Sequence, residues 1–190
     1  SAKDPDFSCT LVDRILFLIV NASIKPVLCI TKMDLVQPDD PVHGWIEDYR
    51  QSGYEVVLSG REELDENLAG VLRGKVTVLT GQSGVGKSSL LNKLNPEFQL
   101  QTQEISKALG RGKHTTRHVE LHEVAGGWVA DTPGFSSLDF SRMTPTELAQ
   151  SVPDFAPYLG RCRFRDCIHQ NEPGCAIKQA VEDRQVSRIR

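Results

Sequence analysis

Apolar residues along the chain recur at two alternating spacings. From Leu11 to Val20 they read as a helix, whereas Lys25–Ile30 (KPVLCI) is a short apolar run ending at a polar turn, as a buried parallel strand would. The pair repeats: Gly44–Ser52 reads as helix, Tyr54–Leu58 (YEVVL) as strand. Leu64–Leu72 then carries Leu64, Leu68, Val71 and Leu72 at amphipathic helical spacing, and Lys75–Thr80 (KVTVLT) is a strand. A glycine-rich turn leads into a helix over Lys87–Leu94, and two further strands are expected near His118–Val124 and Trp128–Ala130. Strands alternating with helices predict an α/β fold on a mainly parallel sheet covered on both faces. After about Asp139 the pattern changes. A short helix over Thr144–Ala149, with Thr144 as N-cap and Pro145 at its first position, precedes a proline-punctuated loop, a cysteine cluster and a charged helix from about Ala176. The boundary is placed near residue 140, giving an α/β domain over 1–140 and a small helical domain over 141–190.

The strongest chemical signal is Gly81-Gln82-Ser83-Gly84-Val85-Gly86-Lys87-Ser88, a complete GxxxxGK[ST] loop between a predicted strand and a predicted helix. Its glycines let successive backbone N–H groups turn inward on phosphate oxygens, and the helix that begins there, through Ser89, adds its positive end. Lys87 can reach the β- and γ-phosphates of a nucleoside triphosphate, and the Ser88 hydroxyl is a natural Mg²⁺ ligand. The bland alternative is a glycine-rich turn without a ligand, which the flanking strand and helix disfavour.

This loop leaves the base open. Thr31-Lys32-Met33-Asp34, directly after KPVLCI, has the [NT]KxD pattern. A carboxylate at Asp34 accepts from both the ring N–H and the exocyclic amine of guanine, while adenine offers no such pair of donors. The Lys32 stem would pack along the base plane, and Ser59-Gly60, after YEVVL, would bring a backbone N–H to the guanine oxygen. Taken alone, TKMD is also an ordinary strand-to-loop transition. The third element is Asp131-Thr-Pro-Gly134 after the strand WVA: Asp131 would hold Mg²⁺ through water, and the Gly134 N–H would sense the γ-phosphate. Between the P-loop and this DxxG lies GRGKHTTRH, where Thr115 and Thr116 are candidates to complete the Mg²⁺ shell, Thr116 preferred. The expected ligands are therefore GTP or GDP with Mg²⁺.

TKMD precedes the P-loop and DTPG comes last, the reverse of the usual arrangement; loops at the strand ends of a parallel sheet tolerate such a circular permutation. With TKMDLV, GQSGVGKSSLLNKL, GRGKHTTRHVEL, DTPGF and CRFRDCIHQNEPGC together, the chain resembles the circularly permuted ribosome-assembly GTPases of the RsgA (YjeQ/YloQ) family over nearly its whole length. The resemblance implies GTP hydrolysis stimulated by the small ribosomal subunit, a role in that subunit's late maturation, and contact with its rRNA. Two departures stand out: the N-terminal OB-like RNA-binding domain of such proteins is absent from this sequence, and so is a strand that precedes the segment matching Ser1–Phe7. A missing inner strand would open the sheet, so a fragment is expected, and Arg190 also looks like a truncated end.

Where many GTPases place a water-orienting glutamine after DxxG, this chain has Phe135. Slow turnover alone is expected, with His114 the internal candidate for positioning the attacking water; a solvent-facing or RNA-contacting His114 is the equal alternative. The segment Phe135–Phe140 would carry nucleotide state to the C-terminal region.

Cys162, Cys167, His169 and Cys175 form C-x4-C-x-H-x5-C, three thiolates and an imidazole suited to one closed, structural Zn²⁺ site, with Pro173 and Gly174 turning the chain back. Unligated thiols are the alternative. Arg161, Arg163 and Arg165 either face RNA or form a solvated surface. Cys9 and Cys29 read as buried small hydrophobes, and His43 and His122 as surface residues. A net charge of −3 disfavours a strongly basic nucleic-acid-binding fragment, so RNA contact must come from local patches. The longest apolar stretch, Ile15–Val20, is too short to span a bilayer, so no membrane partner, a cytoplasmic address and a monomer are expected. Two other functions stay open: a GTP-dependent switch recruiting a protein partner, and a zinc-centred RNA-binding module.

Overall fold

A computed structural model of the 190-residue chain describes residues 1–62, 65–95, 120–131 and 143–189. In chain order the described elements are α1 (Cys9–Asn21), β1 (Val27–Thr31), a 3-10 turn (Met33–Leu35), α2 (Val42–Gln51), β2 (Glu55–Ser59), α3 (Asn67–Leu72) and β3 (Val76–Leu79). Then come α4 (Lys87–Leu94), β4 (Glu120–Val124), β5 (Gly127–Asp131), α5 (Pro145–Gln150), a 3-10 segment (Pro153–Tyr158) and α6 (Ala176–Glu182). Each expected helix and strand is present within a few residues, α4 at the expected ends. The helix expected over Leu64–Leu72 is shorter, running from Asn67.

The contacts divide the chain into two units that do not follow chain order. One comprises Ser1–Phe7, Cys29–Gln37 and Val57–Ser137; the other comprises Ser8–Leu28, Pro38–Val56 and Leu138–Arg190. The boundary expected near residue 140 lies outside the described residues, as does Phe135–Phe140.

In the first unit, β3 pairs in parallel with β5, and β5 forms an antiparallel hairpin with β4, in the order β3-β5-β4. The parallel pairing puts Leu79 opposite Asp131, so the end of β5 meets the strand end from which the glycine loop departs. β1 and β2 pair in a separate two-stranded sheet. One face of β3-β5-β4 is buried at Val129 and Val124, with α3 against β5. The other face leaves Val76 69% exposed, Val78 57%, Leu121 54% and Trp128 48%. Among the described residues, cover on both faces, expected from the alternation of strands and helices, is not found at this sheet: apolar runs specify strands, but only the packing partner specifies which face is dry.

In the second unit, α1 begins at Ser8, whose hydroxyl accepts from the Leu11 N–H, and packs against α5. α5 carries the expected cap: Thr144 Oγ1 accepts from the Glu147 N–H, and the Glu147 carboxylate accepts in return from the Thr144 N–H, with Pro145 in the first turn. The Thr144 bonds hold the Glu147 carboxyl below its usual range. α2 buries Val42, Ile46 and Tyr49, one stripe of an amphipathic helix. Fully buried Tyr49 donates from its hydroxyl to Asp13 Oδ1 at 2.9 Å, and its ring meets Tyr54 edge-on at 6.0 Å. The Ser52 hydroxyl donates to Asp154 Oδ2 at 2.6 Å, tying the end of α2 to the 3-10 segment. Val152, Phe155, Cys167, Cys175, Ile177, Ala180 and Val186 form a core against which Phe17 of α1 also packs. Cys9 and Cys29 are half-buried rather than buried, and burial pushes the Cys29 thiol up to about 11.

Among the described residues no helix is long and apolar enough to cross a membrane. Replacing Tyr49 by Phe removes a donor from the buried Asp13 carboxylate and should cost about 1.5–3 kcal/mol; a denaturant melt within about 0.5 kcal/mol of the parent would show that this hydrogen bond does not stabilise the helix pair.

Candidate functional site

The glycine loop runs from the end of β3 to the start of α4. Gly84 and Gly86 take φ of 81° and 94°, and Gly86 is also the N-terminal residue capping α4. A β-carbon at Gly86 would meet nothing closer than Thr31 at 3.8 Å, so the left-handed backbone, not lack of space, requires glycine there. The Lys87 ammonium donates to the carbonyls of Gly81 and Gln82, both at 2.9 Å, and so lies in the curl of the loop. Gln82, Ser83, Gly84 and Ser89 are exposed; Val85 and Ser88 are half-buried. Loop and helix end together form a concave set of backbone donors with a cation beside them, the chemistry of a polyphosphate cradle.

The Thr31-Lys32-Met33-Asp34 turn meets this cradle directly. The Thr31 hydroxyl donates to the Val85 carbonyl at 2.5 Å across a separation of 54 residues. Lys32 adopts a left-handed backbone with φ of 60°, and its ammonium donates to the Asp4 carbonyl. That bond and the Ala2 N–H to Thr31 carbonyl bond at 2.8 Å fasten the first residues of the chain alongside the turn. Asp34 is exposed, and a β-carbon at Gly60 would lie 3.5 Å from both its backbone N and its Oδ1, so the Ser59-Gly60 turn runs beside the Asp34 carboxylate. Lys93 of α4 donates to the Gly60 carbonyl and, at 3.3 Å, to the Ser59 hydroxyl. Three loops far apart in sequence thus converge: residues 31–34, 59–60 and 81–88. Asp131 ends β5 at the same strand ends. His114, Thr115, Thr116 and Gly134 lie outside the described residues.

Reading the sequence alone missed Lys93. Its only signal was its place six residues after Lys87 on the same helix.

In the second unit, Cys162, Cys167, His169 and Cys175 bring one ligand atom each to within 4.8 Å of one another. Cys162 Sγ lies 3.7 Å from His169 Nδ1 and 4.0 Å from Cys175 Sγ, and Cys175 Sγ lies 3.4 Å from His169 Nδ1. A tetrahedron with metal–sulfur bonds of about 2.3 Å and a metal–nitrogen bond of about 2.0 Å has edges of roughly 3.5–3.8 Å. The separations of 3.4–4.0 Å among Cys162, His169 and Cys175 lie near those edges, and all four donors gather within 4.8 Å, so the set suits one four-coordinate cation after a small contraction. Backbone N–H groups of Ala176 and Lys178 point at Cys162 Sγ and Cys175 Sγ, both at 3.4 Å, and Cys175 doubles as the N-cap of α6.

The loop carrying His169 is shaped by Glu172, whose carboxylate accepts from the N–H groups of Ile168 at 2.8 Å and Asn171 at 3.0 Å; these bonds hold its carboxyl below the usual range. His169 takes φ of 65°, and its ring packs edge-on against Phe155 at 5.6 Å. Burial lowers the His169 pKa, which keeps the imidazole neutral, as a ligand must be. Burial, followed by the neighbouring thiols, pushes Cys167 up to about 11. Gly174 has φ of 71°, and a β-carbon there would come within 3.1 Å of the Arg163 side chain, so the expected tight turn before Cys175 does require glycine. His43 is exposed and His122 half-buried, and neither joins the cluster. A separate cavity of about 750 Å³ in this unit, bordered by Asp48, Ser52, Asp154, Tyr158 and Arg188, contains none of the metal-ligand residues.

The class defined by these features is a P-loop α/β protein with a Cys3His cluster, its TKMD turn and glycine loop in permuted order. The RsgA GTPase family model matches residues 1–141, and the chain belongs to that family. It is 50% identical over 196 residues to the small ribosomal subunit biogenesis GTPase RsgA of Bacillus subtilis (strain 168), and 51% over 195 residues to the protein of the same name from Bacillus pumilus (strain SAFR-032). Both alignments cover 100% of this chain, which spans 65% of the length of either relative. The crystal structure of YloQ, described as a circularly permuted GTPase, is similar with a TM-score of 0.78 and 42% identity, covering 98% of this chain and 60% of that one. YjeQ from Thermotoga maritima gives a TM-score of 0.81 at 35% identity, covering 98% and 63%.

Metal binding must displace the proton that burial holds on Cys167. A metal taken up at neutral pH should therefore leave on acidification, with affinity falling on the order of tenfold per thiol for each pH unit. Purified chain should contain one metal per molecule, and a strong chelator or Cys167→Ser should lower its melting temperature by several degrees. An unchanged melt after complete metal removal would show that the cluster is no staple.

Proposed function

We propose that this chain binds and hydrolyses GTP in the service of small-ribosomal-subunit maturation. The observation that carries the reading is the Thr31–Val85 hydrogen bond, which ties the base-reading turn to the phosphate cradle, with Asp34 beside the Ser59-Gly60 turn. One guanosine nucleotide would then be held at both ends. Asp34 accepts from the guanine ring N–H and amine, a backbone N–H of the Ser59-Gly60 turn meets the 6-oxo group, and the Gly81–Gly86 backbone with Lys87 binds the phosphates. Ser88, Asp131 and Thr116 would hold Mg²⁺, which neutralises phosphate charge when bound. Water adds to the γ-phosphorus, the bond from that phosphorus to the bridging β,γ-oxygen breaks, and GDP and phosphate leave. With Phe135 in place of a water-orienting glutamine, turnover by the chain alone is slow, and His114 or the ribosomal partner completes the site.

The Cys3His cluster takes Zn²⁺, whose preference for thiolate and imidazole in a closed tetrahedron matches the donors. Arg163 and Arg165 stand exposed on the loop joining the first two ligands, with exposed Arg161 just before it, and Phe164 is 46% exposed with the Arg163 guanidinium 5.6 Å from its ring centre. This basic, aromatic surface is the surface assigned to rRNA. The relatives' names support the ribosomal role, and the cytoplasm is where it would be exercised.

Competition binding should show guanine nucleotides preferred to adenine nucleotides, and Asp34→Ala should weaken GDP by roughly 1–3 kcal/mol without changing affinity for inorganic triphosphate. Equal binding of GDP and ADP by the unaltered chain would defeat the guanine assignment. Titrating GTP turnover with small subunits should raise it at least about tenfold. Arg163→Gln with Arg165→Gln should increase the half-saturating subunit concentration about 5–10-fold while leaving unstimulated turnover as it was. A flat titration would remove the ribosomal role.

A further inference from the structure

Lys93 is bonded to neither the glycine loop nor the Thr31–Asp34 turn in this structure. It sits half-buried on α4, six residues after Lys87, which at about 1.5 Å per residue places it roughly 9 Å further along the same rod. From there its ammonium donates to the Gly60 carbonyl and to the Ser59 hydroxyl at 3.3 Å. Ser59 itself is only 4% exposed, so these bonds form in a partly dry setting where charge-assisted hydrogen bonds are strong. The same turn also runs beside Asp34: a β-carbon at Gly60 would sit 3.5 Å from the Asp34 backbone N and Oδ1.

We propose that Lys93 is a positioning residue for recognition of the base's 6-oxo group; the proposal rests on the guanine site described above. The Ser59-Gly60 turn is held by Lys93 and runs beside Asp34. By fixing where the Gly60 carbonyl points, Lys93 fixes where the flanking N–H groups point, and one of these meets the 6-oxo acceptor. Because α4 also begins at the phosphate cradle, one helix sets the separation between the phosphate end and the 6-oxo end of the site. Glycine at position 60 leaves the turn conformationally free unless something pins it. Lys93 supplies that pin.

The test measures dissociation constants of GDP, inosine diphosphate and 6-thioguanosine diphosphate for the unaltered chain, Lys93→Met and Lys93→Arg. Inosine diphosphate keeps the 6-oxo group but lacks the amine, whereas the thio analogue keeps both donors and weakens the acceptor. Lys93→Met should weaken GDP and inosine diphosphate by about 5–20-fold and the thio analogue by less than about twofold, with Lys93→Arg recovering most of the loss. An equal loss for all three nucleotides, or no loss for GDP, would overturn the proposal, and the arginine variant supplies the comparison if Lys93→Met folds poorly. A chain that in its unaltered form failed to prefer GDP to ADP would instead bring down the guanine site itself, so the two failures are distinguishable.

Discussion

A nucleoside triphosphate is long, and its base and its phosphates need different chemistry, so a protein that holds one must keep two separate loops at a fixed distance. In this chain the Thr31 hydroxyl on the Val85 carbonyl joins two such loops directly. Around it the turn at Asp34, the turn at Gly60 and the loop ending at Lys87 are mutually braced, with Lys93 reaching from the phosphate-side helix to the base-side turn. None of these contacts depends on the order in which the loops occur along the chain. That is the physical reason a permuted sequence can assemble the same kind of site: the loops come from strand ends, and the connections between strands can be cut and rejoined elsewhere.

The second unit solves a different problem. Its core is small, and two of its buried residues, Cys167 and Cys175, are also metal-ligand candidates. Phe155 joins the two roles, packing in that core while its ring abuts His169. A cation held by these four donors would therefore hold core side chains as well as a loop, and it would offset the left-handed backbone of His169 and the desolvation that disfavours a thiolate at Cys167. Exposed Arg163, Phe164 and Arg165 lie on the loop between the first two of these donors, with Arg161 just before it, so the same cation would anchor both ends of that basic loop.

Much of this was legible in the residues. Helix ends followed from capping chemistry, as at Thr144 and Pro145, and strands from short apolar runs, as at β1 and β2. The glycine loop was legible because its backbone needs left-handed residues at set intervals, and the cysteine cluster because thiolates and imidazole at that spacing have few other uses. Less legible was burial. KVTVLT reads like a strand with two dry faces, yet Val76 and Val78 stand exposed, because an apolar run states what could be buried and not what arrives to cover it. Cys9 and Cys29 are half-buried for the same reason.

By itself, then, the amino-acid order determined the local chemistry: which loop can wrap phosphate, which carboxylate can read a base, which four side chains can share a metal. Each of those depends on residues near one another in the chain or on the chemistry of a single side chain. Tertiary structure alone decided that Phe17 would pack in the core of the C-terminal unit, that Glu172 would shape the His169 loop, and that Lys93 would reach Gly60. Those are contacts across space, made by side chains whose types are common and whose partners only folding selects.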